Sequence, residues 1–103
     1  MNITISQRAK EAILSVEPLA EVILYGSRAR GDYTQFSDWD FLVLLDGEVD
    51  QQRTDRVRHQ LHEIEWDTGE VLCALVRSRE MWNRPQYQVM PLSKNIMLEG
   101  VTL

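Results

Sequence analysis

Two aspartates separated by one residue, Asp38 and Asp40, sit in the run Ser37-Asp38-Trp39-Asp40-Phe41-Leu42-Val43. If that run is a strand, both carboxylates project to one face, together with Leu42 and Leu44. Trp39, Phe41, Val43 and Leu45 then point to the opposite, packed face. Side chains of alternate strand residues stand roughly 6–7 Å apart. Two carboxylates that close repel each other unless a cation or protons intervene. The spacing suits one divalent metal, or a pair about 3.5–4 Å apart.

A second group lies just upstream, in Tyr25-Gly26-Ser27-Arg28-Ala29-Arg30-Gly31-Asp32. Glycine allows a phosphate to approach the backbone, while the following amides and the Ser27 hydroxyl can donate hydrogen bonds to it. Arg28 and Arg30 are within reach of the same anion. Gly-Ser after a strand is commonly only a turn, and Asp-x-Asp alone is weak. Their succession within one short run is what phosphoryl or nucleotidyl transfer requires: placement and charge neutralisation. A Walker-type loop would need Gly-Lys-Ser/Thr, which is absent.

Other chemistry-bearing residues read more plainly. His59 and His62 are three apart on an expected helix but lack a third ligand nearby, which describes a solvated helix face. His62-Glu63 lacks the second histidine of a zinc-protease motif. The single cysteine, Cys73, has no disulfide partner in the chain and lies in an apolar run, so a buried thiol is expected. Trp39, Trp66 and Trp82 read as packing residues, with Trp66, Trp82 and Tyr87 as candidates for a partner surface.

The elements that must position these groups follow from periodicity. Thr4 with Gln7, or Ser6 alone, can cap a helix whose apolar positions Ala9, Ala12, Ile13 and Val16 share a face, with Pro18 ending it. Val22 to Tyr25 is a short strand stopped at Gly26. Ser27 to Ser37 is a loop with room for one helical turn, and Asp38 to Leu45 is a strand closed by Asp46-Gly47. Val57, Leu61 and Ile64 mark a second amphipathic helix, broken at Thr68-Gly69. Glu70 to Val76 reads as a third strand. Ser78 to Trp82 is a helical turn, and Ser93 to Glu99 a last helix with Gly100 at its end. The expected order is α-β-β-α-β-α, without repeats, linkers or low-complexity stretches.

The totals bound the reading. With 103 residues, 44% hydrophobic and 26% charged, the chain has the size and composition of one small globular domain. A net charge of −5 and a pI near 4.9 have the wrong sign for gripping nucleic acid through its phosphates. They leave room for a nucleotide held through a metal ion. No apolar run approaches the roughly 20 residues needed to span a bilayer, and no charged-then-apolar leader opens the chain. With a lone cysteine, this points to the reducing cytoplasm.

The segments Gly26-Ser27-Arg28-Ala29-Arg30-Gly31 and Ser37-Asp38-Trp39-Asp40 together resemble the signature of minimal nucleotidyltransferases, small relatives of kanamycin nucleotidyltransferase and DNA polymerase β. The resemblance implies a single α/β (α+β) domain over residues 1–103, with a three-stranded mixed sheet packed with helices. It implies contact of Gly26 and Ser27 with the phosphates of ATP or another nucleoside triphosphate, and Mg²⁺ held by Asp38 and Asp40. The activity implied is transfer of a nucleoside monophosphate, AMP above all, to a hydroxyl with release of pyrophosphate. The family pattern also has a third carboxylate, a general base on a later strand facing the metal pair. Glu70, at the start of the third strand, is the candidate here, with Asp67 and Glu65 as fallbacks. For Glu70 to serve, it must share a face with Asp38 and Asp40, along with Leu72 and Ala74, and come within about 8 Å of the pair. Proteins resembling this family are often paired with helical HEPN-domain proteins in toxin–antitoxin modules. A HEPN-type partner or a homo-oligomer is therefore expected, and a catalytically weak interaction module on the same scaffold is the alternative.

Overall fold

The computed structural model describes residues 4–103. Helix α1 (Ile5–Val16) opens where the Thr4 hydroxyl accepts a hydrogen bond from the Gln7 amide at 3.1 Å. It buries Ala9 and Ile13, and ends where Pro18 bars its predecessor Glu17 from helical geometry. Strand β1 (Glu21–Tyr25) follows, then the single turn α2 (Ser27–Arg30) and strand β2 (Trp39–Leu45). Helix α3 (Gln51–Thr68) is capped by the Asp50 carboxylate, which accepts from the Arg53 amide at 2.8 Å, and is terminated by Gly69 in the left-handed conformation. Strand β3 (Leu72–Ser78), short helices α4 (Arg79–Trp82) and α5 (Pro85–Gln88), helix α6 (Pro91–Glu99) and strand β4 (Val101–Thr102) complete the chain.

Among the described residues the sheet has four strands in the order β3-β2-β1-β4. β1 pairs antiparallel with both β2 and β4, and β2 pairs parallel with β3 because α3 supplies the crossover between them. The mixed sheet predicted from the sequence is present, with one strand more than the three expected. That strand is two residues long, below the length at which alternation is visible, and sequence reasoning stopped at Gly100. A side chain at Gly100 would place its Cβ 2.5 Å from the Ile96 carbonyl and 2.8 Å from the Ile23 side chain. Glycine here allows the chain to leave α6 and pass straight onto β1.

Both faces of the sheet are covered, so strand residues of both parities are buried. On one side Phe41, Val43 and Leu45 pack with Val22, Leu24, Leu72, Ala74 and Val76 against Ala9 and Ile13 of α1 and Val57, Leu61 and Ile64 of α3. On the other, Leu42 and Leu44 pack with Trp82 of α4 and Ile96 of α6, joined by Ile23, Tyr25, Leu75 and Tyr87. The faces of β2 are therefore the ones its alternation predicts. Trp82 is core, whereas Trp66 is 88% exposed on α3. His59 and His62 lie on the exposed side of α3, their rings edge-to-face with centroids 6.0 Å apart.

One arginine ties the layers together. Arg53 donates to both carboxylate oxygens of Glu17, at 2.9 and 2.8 Å, and to the carbonyls of Asp46 and Glu48, at 2.8 and 2.7 Å. It joins the end of α1, the turn after β2 and the first turn of α3. Among the described residues no helix is long and apolar enough to cross a membrane.

Candidate active site

The antiparallel register of β1 and β2 sets Tyr25 opposite Asp40, so the turn leaving β1 lies against the start of β2. Gly26 takes φ 79° and ψ −162°, and a Cβ there would fall 2.6 Å from Asp40 Oδ2. Only glycine lets this backbone and this carboxylate sit so close. The Gly26 carbonyl accepts from the amides of Ala29 and Arg30, both at 3.0 Å, which winds α2 and presents Ser27 at its first position. The glycine-serine turn and the aspartate pair are thus one site, although 11 residues of loop and helix separate Gly26 from Asp38 (positions 27–37).

Asp38 is exposed, one residue ahead of β2, and Asp40 is half-buried at its second position. Burial pushes the Asp40 carboxyl above its ordinary pKa, and the Asp38 charge adds to that, with Glu99 contributing in the same direction and Arg30 opposing. Tyr25 is also pushed up, first by burial and then by Asp40, Cys73 and Glu99. A half-buried carboxylate beside a second one is a place where a cation relieves repulsion. Among the described residues no cluster of three or more His, Cys, Asp or Glu is arranged to hold a metal alone. Asp38 and Asp40 are two carboxylates, a donor set that could hold Mg²⁺, which takes one or two carboxylates and leaves its other positions to water and substrate phosphates.

The two arginines are already engaged. The Arg28 guanidinium lies between the rings of Tyr33 and Trp39, 4.5 Å from each centroid. It donates to the Ser37 carbonyl at 3.2–3.3 Å and to Glu70 at 3.2 Å, and its side chain is only 7% exposed. It braces the backbone just ahead of Asp38. Arg30 is on the exposed side of α2 and bonds Asp32 at 3.2 Å and Glu99 at 2.9 Å.

Glu70 is not where strand reasoning put it. β3 begins at Leu72, two residues later than expected, and its register pairs Trp39 with Leu72 and Asp40 with Cys73. Residues in register share a face, so Cys73 and Leu75, not Leu72 and Ala74, lie on the carboxylate side. The Glu70 carboxylate accepts from Trp39 Nε1 at 3.0 Å and from Arg28, on the other face of β2. Of the fallbacks, Glu65 accepts from the Leu72 amide at 3.0 Å and Asp67 pairs with Arg8 at 2.9 Å. The expected burial of Cys73 fails for the same reason: its thiol is exposed beside the aspartates, and desolvation followed by the Asp38 and Asp40 charges pushes its pKa up. Because β3 is apolar at both parities, the sequence did not display which parity faced the site.

Glu99, the last residue of α6, escaped sequence reasoning altogether. Its carboxylate accepts from the Gly26 amide at 3.1 Å and from Arg30 at 2.9 Å. It lies 73 positions from Gly26, and no local pattern links the two.

A cleft of about 510 Å³ lies elsewhere, at the far ends of β2 and β3, lined by residues including Glu48, Asp50, Arg77, Ser78 and Tyr87. Neither Asp38 nor Asp40 lines it, and neither Gly26 nor Ser27 does, so it is not the place where the two motifs meet.

The chain is similar to known proteins in sequence and in fold. A protein of Methanocaldococcus jannaschii with the provisional name protein adenylyltransferase is 39% identical over 66 residues, 64% of this chain. The match spans 61% of that relative's length. The fold is shared with a solved structure described as a toxin-antitoxin with AMP-PNP, at a TM-score of 0.66 and 13% identity, covering 94% of this chain and 70% of the other. The family model for the nucleotidyltransferase domain matches residues 6–99, from the first helix through Glu99 and across both halves of the site, and the chain belongs to that family.

Proposed function

We propose that this chain is a Mg²⁺-dependent nucleotidyltransferase that moves AMP from ATP to a hydroxyl on a protein partner. The observation that carries the reading is the close approach of Gly26 to the Asp40 carboxylate, which sets the glycine-serine turn directly against a pair of carboxylates that repel each other. Asp38 and Asp40 would hold Mg²⁺, as one ion or two. When bound, the metal neutralises phosphate charge and polarises the reacting oxygens. The Gly26 amide and the Ser27 hydroxyl orient the triphosphate, and Arg28 acts behind the site by bracing Ser37 and Asp38. The acceptor oxygen forms its bond to the α-phosphorus as the α–β bridging P–O bond breaks, pyrophosphate leaves, and the hydroxyl proton passes to solvent or to a base. Glu70, bound to Arg28 and Trp39, acts as part of that brace.

A protein acceptor is favoured by the exposure of Asp38 and by the name of the archaeal relative, and the toxin-antitoxin neighbour suggests a partner of that kind. A HEPN-type helical protein in the same cytoplasm is the partner we infer. The test is release of pyrophosphate and transfer of labelled AMP, with Mg²⁺ and the co-expressed partner, by wild type and Asp38→Ala. Loss of both in the variant is expected. Equal rates would overturn the assignment.

A second reading rests on Cys73. The β3 position level with Asp40 carries a thiol, and the side of β3 that faces the aspartate pair offers no carboxylate of the kind the resemblance implies. On that reading the chain binds nucleotide and partner but turns over slowly, as an antitoxin-like interaction module. Partner binding that survives Asp38→Ala with no labelled product from wild type would favour it.

A further inference from the structure

We propose that Glu99 is a built-in competitor for the triphosphate, occupying the phosphate donors of the free chain and setting their affinity for nucleotide. The inference rests on the proposed reading that phosphates bind at Gly26 and Ser27.

Four observations carry it. First, the two partners of the Glu99 carboxylate are the Gly26 amide, at 3.1 Å, and the Arg30 guanidinium, at 2.9 Å. These come from different residues of the turn that the sequence marks as an anion cradle, and the carboxylate fills both with one oxygen each. A carboxylate and a phosphate present the same thing to such donors, negatively charged oxygens that accept charge-assisted hydrogen bonds. Second, Glu99 is well sheltered, with 18% of its side chain exposed, so this is no loose surface pair. Third, its backbone is fixed. Gly100 packs directly on Ile96 and Ile23, its amide bonds the Ile96 carbonyl at 2.7 Å, and β4 pairs with β1 immediately afterwards. Fourth, Glu99 stands among acids: it lies close enough to Asp40 and Tyr25 for its charge to act on both.

The consequence is an exchange. A triphosphate reaching Gly26 and Arg30 must displace the Glu99 carboxylate, which can rotate away into solvent without moving the helix that carries it. Nucleotide affinity is then the difference between two anions on the same donors. Placing the phosphates also removes a carboxylate from the neighbourhood of Asp38 and Asp40, so binding of nucleotide and of cation support each other only after Glu99 has left.

The experiment is calorimetric titration of the full chain with Mg-ATP and, separately, with inorganic tripolyphosphate, comparing wild type with Glu99→Gln and Glu99→Asp. Gln keeps the acceptor for Gly26 and loses the charge that Arg30 holds; Asp keeps the charge but is too short to reach both donors. Both variants are expected to bind each ligand about tenfold more tightly, the size of one charge-assisted hydrogen bond removed from the competing state. Thermal melts of the free proteins check that both variants fold. If wild type binds Mg-ATP and the folded variants bind it equally well or more weakly, Glu99 is no competitor and the inference fails while the proposed function stands. If none of the three proteins binds either ligand while all are folded, the inference fails together with the reading on which it rests.

Discussion

At the residue scale the site is defined by charge. Burial and Asp38 together raise the Asp40 pKa in the folded chain. A carboxyl whose folded pKa lies above its unfolded one favours folding while protonated. The metal-free chain therefore loses stability as pH rises from the ordinary carboxylate range through the raised value. Asp40→Asn removes that loss. Its Tm near neutral pH is expected to exceed that of wild type by about 2–4 °C, and the gain should vanish in acid. On the proposed function wild type gains stability from Mg-ATP, about 2.7 kcal/mol at a hundred times Kd, and the same variant should lack that gain. Melts across pH, with and without ligand, read both effects. Cys73 supplies a complementary prediction. Cys73→Asp puts a carboxylate level with Asp40 on the site face, and general bases contribute about 10²–10⁴-fold. Pyrophosphate release is expected to rise at least about tenfold. An unchanged rate would mean that no carboxylate is needed at that position.

At the element scale the molecule relies on a few side chains that cross between layers. Arg53→Met removes a bidentate ion pair and two carbonyl contacts while retaining most of the apolar stem. It should cost about 1.5–3 kcal/mol in urea unfolding at neutral pH. Glu17 is held below its usual pKa, chiefly by its hydrogen bond to Arg53. That part of the stability is present above the unfolded carboxylate pKa and lost as pH falls through the folded one, so the variant should approach wild type in acid. The elements themselves were largely legible. Thr4, Pro18, the Val57-Leu61-Ile64 stripe, Gly69 and the branched run after Asp38 each act locally, and each marked its helix or strand correctly. What failed was register. Strand β3 is apolar toward both cores, so nothing in Leu72-Cys73-Ala74-Leu75-Val76 declares which side chains face Asp40, and a one-residue slip in its pairing with β2 exchanged Glu70 for Cys73. The candidate site divides in the same way: Gly26, Ser27, Asp38 and Asp40 are adjacent enough to read together, whereas Glu99 joins them only in the folded chain, where α6 packs on the sheet and β4 pairs with β1.

At the scale of the whole molecule the surface is uneven. Val89, Met90, Leu92, Met97, Leu98 and Val101 are exposed on or beside α6, the helix that ends in Glu99. If the partner inferred above docks through this face, the double substitution Met97→Lys and Leu98→Lys should abolish its copurification and leave the Mg-ATP-induced Tm shift of the free chain unchanged. Retained copurification would place the interface elsewhere. The pairing of β4 with β1 has a further consequence, in time. Gly26 and Glu99 meet across 73 positions, and the hairpin of β1 and β2 needs no such closure. Long-range pairing is the slow part of folding. During synthesis, then, β1 stands as an open edge with its glycine turn already beside Asp40, and both the edge and the turn are covered in one late event, when the last strand arrives.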